Sequence, residues 1–377
     1  MKPIKFVHFS DLHLDSPFTS IGPDYERINR RRQDLLDAFD RIINIVKGEK
    51  ADLLLISGDL YEHFYVKKST ITHINKRFGE IDCTKVFIVP GNHDPYINNS
   101  YYKNFRWNSN VYILSEERAK VELEDMNLCI YGLGFEDFYK DASLSDELKD
   151  INSERVNMLL VHGTVDMNFT RKAYNLLSSE DLSKLNMDYI ALGHFHNRIG
   201  NLGQKGVIYN PGSPEPLGFD EEGEHGVYIG TISKELLDLE YRKVNLKDYR
   251  SEVINIEDVE NDEQVAKKIR LCLGEGTLDN TLVSIILKGY TNEQYRPDKS
   301  KIKQLIGEDV FYFEVEDRTI PSYNYEELKN EPGLKGLYVR KLLNMADRAK
   351  TEKEKYLLMK SLYYGIEAIE KGRIEGL

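Results

Sequence analysis

The chain has 377 residues, 41% hydrophobic and 30% charged, with a formal net charge of −12. That is enough apolar material for a sizeable core, while no run approaches the roughly 18–20 apolar residues of a membrane span, and the acidic balance argues against tight, unassisted binding to long nucleic acid. Cys83, Cys129 and Cys272 lie far apart in no metal spacing, which excludes a thiolate metal site and a disulfide framework.

The first strand, Ile4-Lys5-Phe6-Val7-His8-Phe9, starts with no secretory leader ahead of it, so the cytoplasm is the expected compartment. It stops at Asp11-Leu12-His13. A helix follows, with Leu35, Leu36, Phe39, Ile42, Ile43 and Val46 at helical spacing. Arg27, Arg30, Arg31 and Arg32 cluster at its start and read as a solvated face, with phosphate contact as the alternative. The apolar run from Ala51 to Ser57 ends at Gly58-Asp59. A second helix spans Lys67 to Phe78, and the run from Val86 to Pro90 ends at Gly91-Asn92-His93-Asp94. This strand-helix-strand rhythm predicts right-handed parallel crossovers. Short strands then fill Asn110 to Phe135, and Asp141 to Arg155 is polar with a modest helical signal. The run Val156 to Val161 ends at His162-Gly163, and Asp188 to Leu192 ends at Gly193-His194-Phe195-His196. Strands over Gly206 to Asn210, Gly226 to Gly230 and Leu237 to Val244 close the series.

A polar stretch near Asn245–Arg250 marks a boundary. Asp262 to Leu273 reads as helix, and Thr281 to Leu287 and Val310 to Val315 as strands, a small α+β domain. Its Tyr290, Tyr295, Tyr312 and Tyr323 are candidates to stack on bases, with core packing as their ordinary use. From Leu334 onward the pattern is helical. Leu358, Met359, Leu362, Tyr363, Ile366 and Ile369 form an apolar stripe that packs on its own domain or docks a partner. The expected domains are therefore 1–245, 250–330 and 334–377.

Five strand ends carry the chemistry. Polar residues at the carboxyl edge of a sheet are where α/β folds place their sites. Two imidazoles at i and i+2 on a strand would point to opposite faces, so Asp11/His13 and His194/His196 are expected in the loops just past their strands. Carboxylates, imidazoles and one amide, with no cysteine, suit manganese, iron or zinc. The donors are too many for one ion; two metals roughly 3.5–4 Å apart, sharing a carboxylate, clamp a phosphoester for in-line attack. His8, His63, His73 and His225 fall outside the pattern and read as structural.

The order Asp-x-His, Gly-Asp, Gly-Asn-His-Asp, His-Gly, Gly-His-x-His resembles the calcineurin-like metallophosphoesterases, and within them the SbcD-type DNA exonuclease branch with its YhaO-like bacterial members. The opening Phe9-Ser10-Asp11-Leu12-His13-Leu14-Asp15-Ser16-Pro17-Phe18 is similar to the YhaO-like start. The resemblance is strong over roughly the first 240 residues and weak beyond. It implies an α/β fold of two packed sheets flanked by helices, with an α+β capping domain and C-terminal helices. It implies that Asp11, His13 and His196 bind one metal, that Asn92, His162 and His194 bind the other, and that Asp59 bridges them. His93 would face the phosphate and stabilise or protonate the leaving oxygen, with Asp94 orienting its ring. The implied ions are two divalent metals, manganese first, with iron or zinc admitted. The implied activity is a DNA-repair nuclease, exonuclease or endonuclease, in which a metal-activated water attacks the phosphodiester. An SMC-like ATPase bound through the C-terminal region is the implied partner, and pairing as a homodimer is left open. The alternatives are a phosphodiesterase for small molecules or nucleotides, which the acidic charge favours, and a metal-binding regulatory subunit of such an ATPase.

Overall fold

The computed structural model of the chain describes residues 2–138, 148, 151–166, 177–203, 205–274, 278–292, 295–307 and 309–372. It divides into two compact units, Met1–Tyr249 and Arg250–Leu377. In the first, β1 (Ile4–Phe9) leads through α1 (Tyr25–Glu49) to β2 (Leu53–Ser57), then through α2 (Lys68–Gly79) to β3 (Lys85–Val89), and past α3 (Tyr101–Asn104) to β4 (Val111–Ile113). These four strands are parallel neighbours, as helical crossovers require. A second sheet is built from β5 (Lys120–Leu123), β6 (Leu128–Leu133), β7 (Val156–His162), β8 (Tyr189–Gly193), β9 (Ile199–Leu202) and β10 (Ile208–Asn210), with α4 (Ser179–Lys184) between β7 and β8. The chain then returns to the first sheet, where β11 (Gly226–Ile232) pairs antiparallel with β1 and β12 (Leu237–Lys243) with β11. The strand orders are β12-β11-β1-β2-β3-β4 and β5-β6-β7-β8-β10-β9.

Between the sheets, Phe6, Leu53, Leu55, Phe87 and Val89 meet Leu128, Ile130, Met158, Leu160, Tyr189 and Ala191 in one core. Each fully buried Leu, Ile, Val, Met or Phe among them contributes roughly 1.5–3 kcal/mol. The opposite side chains of the second sheet, Leu159, Val161, Ile190 and Leu192, pack with Leu182 of α4 and Met187. Burial on both faces is why β2, β7 and β8 read as unbroken apolar runs rather than alternating ones. The helical signal over Asp141–Arg155 falls largely outside the described residues.

Of the arginines that open α1, Arg30 is solvated as expected, its side chain 60% exposed, while Arg31 departs from both expected roles. Asp24 caps the helix by accepting from the Arg27 amide, and Arg32 donates to the Ser16 carbonyl. Arg31 is fully buried, neither solvated nor free for phosphate. It bonds Asp34 at 2.9 Å and Glu215 at 2.5 Å, donates to the Pro216 carbonyl at 2.7 Å, and lies over the Phe18 and Tyr249 rings. A guanidinium taken out of water needs such paired acceptors.

β13 (Asp248–Asn255) leads across the boundary into the second unit, which continues with α5 (Asp262–Leu273), β14 (Leu278–Lys288), β15 (Tyr290–Thr291), α6 (Lys299–Ile306), β16 (Val310–Asp317), β17 (Ile320–Pro321), α7 (Tyr325–Leu328), α8 (Leu334–Asp347) and α9 (Glu352–Lys371). β13, β14 and β16 form a three-stranded sheet. Its core takes in Val265 and Ile269 of α5, Ile302 and Ile306 of α6, and Val283, Ile285 and Phe313 of the sheet. Tyr295, Tyr312 and Tyr323 are buried; of the four candidate tyrosines only Tyr290 is exposed. Most of the α9 stripe packs inside this unit, with Leu362, Tyr363 and Ile366 beside Val339 of α8, while Ile369 is exposed. No described helix is long and apolar enough to cross a membrane.

Candidate metal centre

The parallel pairing of β1 and β2 continues past their ends. The Asp11 amide donates to the Gly58 carbonyl, His13 to Asp59 and Leu14 to Leu60, so two polar loops run side by side. Their backbone is bent out of the strand conformation. Asp11 (φ 55°), His13 (φ 49°), Asp59 (φ 53°) and His194 (φ 103°) all have positive φ without being glycine. Each costs about 1–2 kcal/mol, and such strain gathers where side-chain direction matters more than local comfort. The bends sit just past β1, β2 and β8, at the loops that carry Asp11, His13, Asp59 and His194. Close packing of the loops requires two glycines. A Cβ at Gly58, with φ +88°, would lie 2.3 Å from His162 Nδ1, and one at Gly91 would lie 2.2 Å from Asp59 Oδ1.

The donors gather into groups whose ligand atoms lie within 4.8 Å of one another: Asp11, His13 and His196 in one, Asp59, His162 and His194 in a second. Asp59 of the second group lies toward the first, with its Oδ2 3.6 Å from His13 Nε2 and 3.2 Å from His162 Nε2. Asn92 joins the second group, with Oδ1 at 3.1 Å from His162 Nε2. Asp11 accepts the His194 amide at 3.0 Å, which ties the β8 loop to the β1 loop.

The ring nitrogens show which atoms face inward. His162 Nδ1 lies 2.8 Å from the Ser57 carbonyl, an acceptor only, so this nitrogen carries the proton and Nε2 offers a lone pair. His13 Nδ1 is 2.9 Å from Glu62, and His196 Nδ1 is 2.7 Å from Glu221. Both rings therefore turn Nε2 inward, and these two nitrogens face each other at 3.2 Å. Around His162, lone pairs of an imidazole, a carboxylate and an amide oxygen converge in the same way. Acceptors facing acceptors in a buried site are satisfied by a cation, and an outer carboxylate, as behind His13 and His196, or a carbonyl, as behind His162, is the usual support of a metal ligand. The donor set fits a hard or borderline divalent metal.

Electrostatics agree. Burial pulls His162 down, yet the Asp59 carboxylate outweighs it and lifts the ring to about 9. Burial likewise opposes His196, and its bond to Glu221 lifts it to about 9. Burial raises Asp59, but His162 and the other imidazoles hold it well below the ordinary carboxylate range. His194, desolvated and beside His162, is pushed down to about 3 and stays neutral, whereas a metal bound at His162 or His196 must displace the proton that each ring otherwise takes up. The region thus draws positive charge.

His93 stands apart. Its side chain is 44% exposed, against 0% for His162, and its backbone amide donates to Asp59 Oδ1 at 2.8 Å. The expected Asp94–His93 pair is not made. His93 Nδ1 lies 3.0 Å from Glu62 Oε2, while Glu62 Oε1 holds His13. Burial lowers His93, but the Glu62 bond raises it to about 9. Burial raises Glu62, and its two histidines bring it down to about 2. Asp94 is buried and occupied elsewhere. Its Oδ1 accepts the Gly91 and Asp59 amides, and its Oδ2 accepts the Leu60 and Tyr61 amides and the Tyr102 hydroxyl. Burial and the Asp59 charge push it up to about 7. Asp94 is a clamp on the loops that carry Asp59 and Asn92.

Glu62 and Glu221 were not singled out in the sequence. Glu62 follows Asp59 by three positions in a loop, where no period marks it. Glu221, in the turn-rich stretch after Pro211, is recognisable only once folding puts it beside His196 and Ser213. His8 and His225 have the structural roles expected. His8 bonds Tyr189 and Ser57, and His225 bonds Ser213 and the Glu221 carbonyl.

Comparison with known proteins follows the same residues. The family described as calcineurin-like phosphoesterase matches residues 4–198. The metallophosphoesterase YhaO of Bacillus subtilis, itself uncharacterized, is 24% identical over 265 residues, 68% of this chain and 64% of that one. The chain thus spans 64% of that relative's length. The DNA double-strand break repair protein Mre11 of Methanocaldococcus jannaschii is 24% identical over 355 residues, 88% of this chain and 91% of that one. Among solved structures, TT1561 of Thermus thermophilus aligns with a TM-score of 0.40 and 13% identity, over 64% of this chain and 99% of that one. With the family match running unbroken through every donor-bearing strand end from Asp11 to His196, the chain belongs to the calcineurin-like phosphoesterases.

Proposed function

We propose that this phosphoester hydrolase is a nuclease, cutting DNA phosphodiesters in repair with two bound divalent ions, manganese first among them. The observation that carries the two-ion reading is the single Asp59 oxygen lying between His13 and His162. Asp11, His13 and His196 would hold one ion and Asn92, His162 and His194 the other, with Asp59 shared. When bound, the pair would polarise the phosphoryl oxygens and lower the pKa of water. His93, kept protonated by Glu62 and exposed beside Asp59, presents a proton to the leaving oxygen. That service is worth about 10²–10⁴ in rate. DNA as substrate draws on the relatives named for double-strand break repair.

The net charge of −12 leaves little electrostatic grip on a long phosphate backbone, so a partner supplies it. We assign that role to an SMC-like ATPase docking on the C-terminal helices, where Leu334, Leu337, Tyr356 and Leu357 are more than half exposed. Manganese-dependent hydrolysis is tested on labelled linear duplex, single-stranded DNA and a chromogenic phosphodiester, with His93→Ala and Asp59→Ala as controls. DNA cleavage lost in both variants is expected. Turnover of the small ester alone would replace the nuclease with a small-molecule phosphodiesterase, and metal binding without any turnover would leave a regulatory subunit.

A further inference from the structure

Two exposed aromatic rings stand at the edge of the metal centre. The chain turns sharply after Glu62, with the Tyr65 and Val66 amides both donating to the Glu62 carbonyl and the His63 amide donating to His93. This turn puts Phe64 at its tip, 76% exposed, and Tyr65 beside it, 53% exposed. A lone surface phenyl ring is ordinary. Phe64 is not alone: its ring stacks on Phe138 at 5.2 Å with an interplanar angle of 11°. The His63 ring stands edge-on to both, at 5.3 Å from Phe64 and 5.8 Å from Phe138. Three rings therefore fix the plane of the pair.

Both arms are also registered to the site. Phe64 lies two residues after Glu62, which holds His13 and His93. Phe138 lies three residues after Phe135, a buried ring 5.7 Å from the His162 ring and edge-on to it. The Phe135 amide donates to Pro90, immediately before the Gly91-Asn92-His93-Asp94 loop. A flat apolar face is thus tied through short chain segments to the loops of a site for phosphoesters. A substrate that uses both must carry a phosphate and an aromatic plane in one molecule, which describes a nucleotide.

We infer that Phe64, stacked on Phe138, is a platform for the nucleobase next to the scissile phosphate, and that the base is unpaired. This rests on the nuclease reading and narrows it. A base inside a duplex has both faces covered by its neighbours and a terminal pair offers only its outer face, whereas an unpaired base is free to swing onto Phe64. Stacking needs no positive charge, which suits a chain of net charge −12.

The test uses the full chain with manganese, a single-stranded oligonucleotide, and an otherwise identical one carrying abasic residues. The readout is the ratio of kcat/KM for the two, with anisotropy binding of both measured in parallel and thermal melting as the folding control. Phe64→Ala is expected to lower the ratio about tenfold, as loss of one base–aromatic stack would, and Phe64→Trp to preserve it. An unchanged ratio, or an equal loss on both oligonucleotides, overturns the platform while leaving a cleaving wild type as a nuclease. If the wild type cleaves neither, the nuclease reading fails and binding decides the platform. Weaker binding of the base-bearing strand alone in Phe64→Ala supports it. No such difference, or no binding at all, refutes it.

Discussion

Asp94→Asn separates a loop clamp from a catalytic partner of His93. The carboxylate meets only donors: two amides at Oδ1, at 2.6 and 3.1 Å, and two amides with the Tyr102 hydroxyl at Oδ2, at 2.7, 3.4 and 2.7 Å. An asparagine must put an NH₂ group at one of these positions. At Oδ1 it opposes the Gly91 and Asp59 amides. At Oδ2 the Tyr102 hydroxyl can reverse and accept, but the Leu60 and Tyr61 amides cannot. Either orientation strands two backbone donors. Hydrogen bonds to a charged acceptor are worth about 1.5–3 kcal/mol each, so the gross loss is about 3–6 kcal/mol. No longer burying a charge returns part of it. A net destabilisation of about 3 kcal/mol is expected, a fall in Tm of roughly 6–12 °C for a unit of this size. Differential scanning calorimetry reads the shift, and manganese affinity should fall with it because Asp59 and Asn92 ride on the loosened loops. A Tm within about 2 °C of wild type, with turnover lost and metal affinity intact, would refute the clamp and return Asp94 to a direct role on His93.

Gly58→Ala combines a positive φ of 88° with a Cβ 2.3 Å from His162 Nδ1, so the ring must move off the Ser57 carbonyl. Bound manganese should drop below the wild-type stoichiometry in equilibrium dialysis, and unaltered binding would contradict the packing described. His8 is fully buried, and desolvation pushes its pKa down to about 3. Its folded value lies below its unfolded value of about 6.5, so its contribution is complete above 6.5 and is lost as pH falls toward 3. The loss is roughly 1.4 kcal/mol per pH unit. Urea denaturation at pH 7 and pH 5 should show a shallower pH dependence for His8→Gln than for wild type; equal slopes would count against a neutral, buried ring. Arg31→Met leaves Asp34 and Glu215 buried without their guanidinium and should cost about 3–5 kcal/mol in the same assay, with part of it recovered in Arg31→Met/Glu215→Leu.

Much of this site is legible in the chain because each donor directly follows an apolar run. Strand ends are positions that period and composition reveal, and Asp11, Asp59, His162 and His194 each stand where a run stops. What supports them is harder to read. Glu62 and Glu221 act on His13, His93 and His196 from loops, where a lone carboxylate has no spacing to announce it. Asp94 carries the same difficulty in reverse: sequence proximity to His93 suggests a pair, while the tight turn aims the carboxylate back at the amides of Gly91 and Asp59. Arg31 was misread because a cationic cluster at a helix start is usually solvated, and its acceptor Glu215 lies 184 residues away. The fold follows the same division. Continuous runs mark β2, β7 and β8, whereas nothing local reveals that β11 returns to lie beside β1.

The most direct measurement is the number of divalent ions held by the purified chain, stripped and then dialysed against manganese and counted by mass spectrometry. Two per chain are expected in the wild type, and one or none in Asp59→Asn, if the carboxylate oxygen that lies within 3.6 Å of both His13 and His162 is shared. A single ion in the wild type, or two held undiminished by Asp59→Asn, would contradict it.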